Sequence, residues 1–226
     1  MTKAAQVWSQ ASYPPASGFT GWNNSYRKRL FDLALAGVLL ILLSPLLVIV
    51  AIAVALDSSG PILFRQKRMG KDGRLFGVFK FRTMTHDLTG NGLKITRAGD
   101  LRITRFGRVL RKTKLDELPQ LFNVLRGDMS FIGPRPDLPE FLESLTPPQA
   151  DILCLRPGIT GMASIQYRNE EQLLANVEPE ALPRYYSEHV LPVKVQIDLE
   201  YAQRAGFLSD IGVLFGTVRA MLQGLH

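Results

Sequence analysis

The longest hydrophobic stretch of the chain runs from Leu33 to Leu56, 24 residues without a charge. As an uninterrupted helix it extends roughly 36 Å at ~1.5 Å per residue, enough to cross the hydrocarbon core of a bilayer. Ser44-Pro45 falls halfway along it. Basic residues stand on both flanks, Arg27, Lys28 and Arg29 before it and Arg65, Lys67, Arg68, Lys71 and Arg74 after it. The positive-inside rule therefore places both ends on the cytoplasmic side. Pro45 lacks a backbone N–H and clashes with the preceding turn, so it can bend a helix there. Ser44 can hydrogen-bond the freed carbonyl and lower the cost of the bend in lipid. The pattern predicts a membrane element over 27–57, read as a helix–break–helix that enters one leaflet and returns, or as a kinked spanning helix. At this level both readings stand.

Beyond the membrane run the periodicity changes. Asp57-Ser58-Ser59-Gly60-Pro61 ends the helix, Pro61 to Gln66 reads as a strand, Gly70-Lys71-Asp72-Gly73 as a hairpin turn, and Arg74 to Met84 as the partner strand. Alternation along that strand sends Lys80 and Arg82 the same way. Thr85 to Asp100 is polar and Gly-rich, a loop long enough to cover a site. Thr104 to Lys112 reads as a helix with Arg105, Arg108 and Arg111/Lys112 along one face. Glu117 to Arg126 reads as the next, with Leu118, Leu121, Phe122 and Leu125 as its apolar stripe, closed by Gly127-Asp128. Pro139 to Leu145 and Pro147 to Leu155 predict short helices, Met162 to Tyr167 a short strand, and Glu178 to Tyr201 helical material broken by Pro183 and Pro192. Phe207 to Leu225 carries one continuous apolar stripe with Asp210 and Arg219 off it. It is an interfacial helix or a helix packed on the core, and the nearby membrane favours the first.

The whole is mainly α with a small β element. The expected divisions are a flexible tail over 1–26, the membrane helix over 27–57, a cytosolic catalytic domain over 58–200 and a C-terminal amphipathic helix over 201–226. The tail is rich in Ser, Pro, Gly and Asn, and is too poor in a small-residue cleavage site to serve, with the long run behind it, as a signal peptide. Cys154 is the only cysteine, which excludes a disulfide framework and fits a reducing compartment.

The formal charge of +7 is unevenly spread. Residues 61–115 hold fifteen Lys/Arg against Asp72, Asp87 and Asp100, a local net of +12 that leaves −5 for the rest. Such a block suits anionic partners: lipid headgroups, phosphate esters or nucleic acid. No nucleic-acid-binding module accompanies the charge, so nucleic acid is not expected as a partner. A solvated basic face beside an anionic membrane is the plainer account and can coexist with a phosphate site.

Asp116-Glu117 follows Arg111-Lys112-Thr113-Lys114 and precedes Leu118-Pro119-Gln120. Most adjacent carboxylates are surface charges. Here the cations favour the ionised form needed for nucleophilic attack or metal binding, and Pro119 suits the first turn of a helix, whose positive end would lie near the pair. Thr113 and Asp116 also match a capping box, a purely structural use. Two acids among Lys/Arg provide a nucleophile, a seat for a divalent ion and charge neutralisation, the requirements of phosphoryl transfer. Lys80, Arg82, Arg111 and Arg135 are the candidate phosphate-binding cations. Arg135 lies between Pro134 and Pro136, which fix its backbone; its plainer role is a salt bridge to Asp128 or Asp137. His86, His189 and His226 share no metal-ligand spacing, and no Walker-type loop, dinucleotide-binding glycine pattern or Gly-x-Ser-x-Gly is present.

Several motifs together are more specific than any one. Lys28-Arg29-Leu30-Phe31-Asp32 before the apolar run with Ser44-Pro45, Lys80-Phe81-Arg82-Thr83-Met84, the segment from Asp116 to Ser130, Gly133-Pro134-Arg135-Pro136 and Arg156-Pro157-Gly158-Ile159-Thr160-Gly161 resemble the bacterial sugar transferase family. These are the monotopic phosphoglycosyl transferases, or polyprenyl-phosphate sugar-1-phosphate transferases. The resemblance covers about residues 27 to 219. It implies transfer of a sugar 1-phosphate from a nucleotide diphosphate sugar, usually a UDP-sugar, to polyprenyl (undecaprenyl) phosphate at the cytoplasmic face of the bacterial inner membrane. It implies Asp116 as nucleophile, Glu117 as Mg²⁺ ligand, UMP as product, and a re-entrant break at Ser44-Pro45. Downstream glycosyl transferases and a second copy of the chain are further partners it leaves open. Met162-Ala163-Ser164-Ile165-Gln166 departs from the Leu-Ala-Gln-Val series of many relatives, which bears on acceptor or sugar contacts. The extra N-terminal transmembrane region of larger relatives is not in this sequence, which gives it the look of a minimal catalytic form. Two alternatives remain: a glycosyl transferase that releases UDP, and a non-catalytic basic scaffold for glycan assembly.

Overall fold

The computed structural model describes residues 18–85, 95–96 and 99–223. Most of the expected tail, and of the expected loop over Thr85 to Asp100, therefore lies outside the described residues. Ser25 opens the first helix, α1 (Tyr26–Asp57), by accepting a hydrogen bond from the Lys28 N–H at 3.1 Å. The expected break at Ser44-Pro45 is not an interruption: α1 stays helical through both residues across all 32. The missing N–H of Pro45 leaves the Ile41 carbonyl, four residues back, without its helical donor, and the Ser44 hydroxyl donates to that carbonyl at 2.8 Å. The serine thus removes the penalty that would otherwise favour a break.

Both ends of α1 dock on the same helical domain. Buried positions recur four apart at Lys28, Asp32 and Ala36, and again at Val50 and Val54, with none between. Around the middle, Ile41 is 76 % exposed and Leu42 and Ile49 nearly as much. A helix that buries its two ends against protein and exposes an apolar middle is a membrane element.

The chain returns as an antiparallel hairpin, β1 (Leu63–Met69) and β2 (Leu75–Phe81), with Leu63 opposite Phe81 and Met69 opposite Leu75. Its turn is the predicted one: Asp72 and Gly73 hold φ of 56° and 69°, a left-handed pair that suits Asp and Gly. The helices α2 (Arg105–Thr113) and α3 (Gln120–Arg126) follow, separated by a 3₁₀ turn at Leu115–Glu117. The expected apolar stripe of the second shifts round: Leu121 and Val124 point inward with Asn123, while Phe122 and Leu125 are exposed. Asn123 turns inward because it clamps the free edge of β2, its amide donating to the Gly77 carbonyl at 2.8 Å and its oxygen accepting from the Phe79 N–H at 3.0 Å.

A second sheet escaped the sequence pattern. β3 (Ser130–Ile132) pairs in parallel with β4 (Gly158–Thr160). A Cβ on Gly133 would lie 2.3 Å from the Arg156 carbonyl oxygen, and one on Gly158 would lie 2.2 Å from the Gly133 nitrogen. Those two glycines let the Gly-Pro-Arg-Pro and Arg-Pro-Gly segments touch backbone to backbone. Between them lie the short helices α4 (Pro139–Leu142) and α5 (Pro147–Ala150), the latter opened by a Thr146–Gln149 capping box.

The strand expected over Met162–Tyr167 is instead a helix, α6 (Met162–Gln166). Its apolar residues fit either period, and a distant carboxylate decides: Asp198 Oδ1 accepts from the Ala163 N–H at 3.0 Å and fixes the first turn. After α7 (Glu170–Leu173), Pro183 and Pro192 sit in the first turns of α8 (Leu182–Tyr185) and α9 (Leu191–Arg204), where proline starts helices rather than breaks them. A π turn, Tyr186–Val190, joins the two. α9 is the central post: Lys194, Asp198 and Tyr201 share one buried face and hold Glu170, the Ala163 N–H and Asp210 respectively.

The C-terminal helix α10 spans Phe207–Gln223, so residues 201–204 belong to α9. Its inner face is Asp210, Val213 and Thr217, and its apolar stripe points outward, with Leu208 81 % and Phe215 72 % exposed. An outward apolar stripe beside α1 fits an interfacial helix.

Candidate active site

The left-handed Lys114 (φ 58°) ends α2 and turns the chain into the 3₁₀ segment, so that Asp116 and Glu117 enter the interior side by side, 5 % and 8 % exposed. The hydroxyl of Thr113 bonds back to Val109 and Leu110, so it forms no capping box with Asp116. The two carboxylates sit in opposite circumstances. Glu117 Oε1 accepts from Lys80 Nζ at 2.8 Å and from Arg135 Nη2 at 2.7 Å, while Oε2 accepts from Arg135 Nη1 at 3.4 Å. Asp116 Oδ1 is buried without a hydrogen-bond partner.

The acidities follow. Burial opposes ionisation of Glu117, yet Arg135 and Lys80 outweigh it and hold the carboxyl well below the usual range. Burial and the adjacent Glu117 charge push Asp116 up, against the pull of Lys80, Lys114 and Arg111. Burial lowers Lys80, an effect only partly offset by Glu117, and the Glu117 charge raises Arg135 further. The pair is thus one firmly ionised carboxylate in a cationic clamp beside one whose ionisation is opposed by burial and by its neighbour's charge.

Each cation reaches this point for a local reason. β2, clamped by Asn123, carries Lys80. The close glycine contact beneath β3 and β4 carries Arg135, whose partner is Glu117 rather than the expected Asp128 or Asp137. Asp137 instead accepts from the Tyr186 hydroxyl at 3.0 Å and lies 3.9 Å from Arg68. Arg111 is turned away from the exposed row of Arg105, Arg108 and Lys112. It pairs with Glu171, and its Nε is buried without a partner.

Arg82 departs from its expected role. The strand ends at Phe81, and the Arg82 guanidinium donates to the carbonyls of Val54, Ser58 and Pro61 and to the Ser58 hydroxyl. It closes the C-terminus of α1, where cations are favoured, and has no contact with the carboxylate pair. Arg29 does the same for α3, donating to the Val124 and Leu125 carbonyls at 2.7 and 3.1 Å. Sequence reasoning also missed Asn123, Lys194, Glu170 and Glu171. Of these only Lys194 had a signal, being polar at a position the helical period turns inward.

Among the described residues no three His, Cys, Asp or Glu side chains form a metal cluster. Mg²⁺ does not require one, since it is held by one or two carboxylates with substrate phosphates and water completing its shell. Adjacent Asp116 and Glu117, one with an unpartnered oxygen, fit such an ion.

This arrangement can hold a phosphate by cations and present a carboxylate oxygen to it, beside a helix seated in a membrane. The chain belongs to the bacterial sugar transferase family, whose model matches residues 23–224. It is 41 % identical over 199 residues to the undecaprenyl-phosphate glucose phosphotransferase of Komagataeibacter xylinus, covering 85 % of this chain and 35 % of that protein. It is 38 % identical over 199 residues to the UDP-glucose:undecaprenyl-phosphate glucose-1-phosphate transferase of Caulobacter vibrioides, covering 87 % and 70 %. A UDP-N-acetylgalactosamine-undecaprenyl-phosphate N-acetylgalactosaminephosphotransferase of Aeromonas hydrophila is 34 % identical over 203 residues, covering 88 % and 44 %. The chain therefore spans less than half the length of two of these three relatives.

Proposed function

We propose that this protein transfers a sugar 1-phosphate from a UDP-sugar to polyprenyl phosphate at the cytoplasmic face of the bacterial inner membrane, beginning the assembly of a membrane glycoconjugate. The observation that carries the reading is the contrast within Asp116-Glu117. A clamped, ionised Glu117 leaves Asp116 as the carboxylate with a free oxygen. Family membership and the activities named for the three relatives support the same chemistry.

In this reading an ionised Asp116 oxygen attacks the β-phosphorus of the donor. The bond from that phosphorus to the bridging oxygen breaks, UMP leaves, and the phosphosugar stays on Asp116 as an acyl phosphate. An oxygen of the polyprenyl phosphate then attacks the same phosphorus and the Asp116–phosphorus bond breaks, restoring the carboxylate. Splitting the transfer keeps two anionic substrates from meeting at once. Lys80 and Arg135 orient Glu117 and neutralise phosphate charge, and Arg111 holds a donor phosphate. Arg82 has no part in this set. Glu117, with Asp116, would hold Mg²⁺, which supplies further neutralisation of charge on the phosphates when bound. The re-entrant seating of α1 is supported by its two ends docking on one domain, and it keeps the reacting phosphate of a lipid-bound acceptor at headgroup depth.

The test is nucleotide release from a panel of UDP-sugars with Mg²⁺, with and without undecaprenyl phosphate. UMP released with lipid-linked product is the expected result. UDP release would instead make the chain a glycosyl transferase, and no release from any donor would favour the scaffold.

A further inference from the structure

Among the candidate cations, Arg111 is the one that forms its ion pair with a carboxylate other than Asp116 or Glu117. Its Nη2 donates to Glu171 Oε1, while its Nε is buried without a partner. The side chains are unequally placed: Arg111 is 22 % exposed and Glu171 41 %. Glu171 stands on α7, which is only four residues long. The preceding Glu170 anchors that helix from within through Lys194 Nζ at 2.6 Å, on a side chain 5 % exposed. One glutamate therefore fixes the segment, and the next leans across its rim to a guanidinium whose charge is felt at Asp116.

We infer that Glu171 is a built-in competitor for Arg111, its carboxylate occupying the seat that a phosphate of the nucleoside diphosphate donor takes. The inference rests on the function proposed above, in which Arg111 holds a donor phosphate. A largely buried guanidinium gains from a directly bonded counter-charge, and Asp116 and Asp100 act on Arg111 through space while Glu171 bonds it, so Glu171 serves as the substitute anion of an empty site. A half-exposed carboxylate is a suitable one, since leaving for water costs it little. The unpartnered Nε then gives the incoming phosphate a donor that Glu171 does not use, which favours the exchange. No bond to Glu171 is made or broken; one ion pair replaces another. After transfer the carboxylate recaptures Arg111 and helps the nucleotide leave.

UDP binding to the full-length protein in nanodiscs, measured by calorimetry, tests this without turnover. Glu171→Gln should tighten UDP about two- to fivefold, the range of a partly exposed ion pair. Glu171→Ala should act in the same direction. Arg111→Gln should weaken UDP, and adding Glu171→Gln to it should change nothing further. Unchanged or weakened UDP affinity in Glu171→Gln overturns the inference. So does a lower melting temperature at unchanged affinity, which would make the pair a static brace. Weaker UDP-sugar binding with unchanged UDP binding also overturns it, by making Glu171 a sugar contact. A wild type that turns over donor but fails these tests sinks this inference alone. A wild type that neither binds UDP nor turns over any donor sinks it together with the function.

Discussion

Lys28 and Asp210 lie 182 residues apart and meet as a buried ion pair, joining the start of the membrane helix to the C-terminal helix. Trp22 Nε1 and the Tyr201 hydroxyl complete the shell of Asp210. Removing one partner strands the other charge away from water. Lys28→Met should therefore cost about 3–5 kcal/mol. Lys28→Met/Asp210→Leu should recover only part of that, since the Trp22 and Tyr201 donors lose their acceptor. Unfolding in detergent, followed by tryptophan fluorescence, measures both, and a Lys28→Met variant as stable as wild type would contradict the finding.

Asp116→Asn keeps the size of the side chain and removes its capacity to form an acyl phosphate. UMP release should fall to background, while membrane sedimentation stays at the wild-type level. Residual lipid-linked product at more than a trace would exclude Asp116 as nucleophile.

Arg82→Gln should leave the donor KM unchanged and lower stability. Its guanidinium makes several hydrogen bonds to the end of α1, and charge-assisted bonds contribute about 1.5–3 kcal/mol each when lost from buried sites. A raised donor KM at unchanged melting temperature would return Arg82 to the substrate site.

Burial pushes the carboxyl of Asp198 up to about 7, against the Ala163 N–H and Lys194, which pull it down. The unfolded chain releases that proton near ~3.9. Between those values the folded chain binds the extra proton, so this group lowers stability as pH rises through the window. Asp198→Asn keeps an acceptor for Ala163 and removes the titration. It should match wild type at pH 4 and exceed it by about 1–3 kcal/mol at pH 8. Denaturant unfolding at the two values gives the comparison; an equal difference at both would refute the assignment.

Pro45→Ala restores the N–H that the Ile41 carbonyl lacks and should favour a straighter, spanning helix. A spanning α1 must tear Lys28 from Asp210 or Ser58 from Arg82. Gly21→Cys, at a position with open space around a new Cβ, reports the side on which the N-terminal end lies. With Cys154 replaced by Ala, labelling from the cytoplasmic side in wild type and its loss in Pro45→Ala is the expected pattern.

Much of this fold was legible because local rules and tertiary packing agree. The charge-free run and the Asp72-Gly73 turn lie where the pattern put them, and Lys80 and Arg135, grouped with the Asp116-Glu117 pair from the sequence, do meet it at Glu117. The failures occur where a distant group outvotes a local preference. Met162–Gln166 became a helix through a carboxylate on α9. The α3 stripe rotated so that Asn123 could reach β2. Three-residue parallel strands leave no period to read. Arg82 and Lys80 looked equivalent two residues apart, because nothing in the sequence says that the strand stops between them.

That stop has a mechanical consequence. Within two residues, about 7 Å of extended chain, Lys80 holds Glu117 and Arg82 holds the end of α1. The short strut between them acts as a spacer, holding the carboxylate pair a fixed length of backbone from the end of the apolar helix.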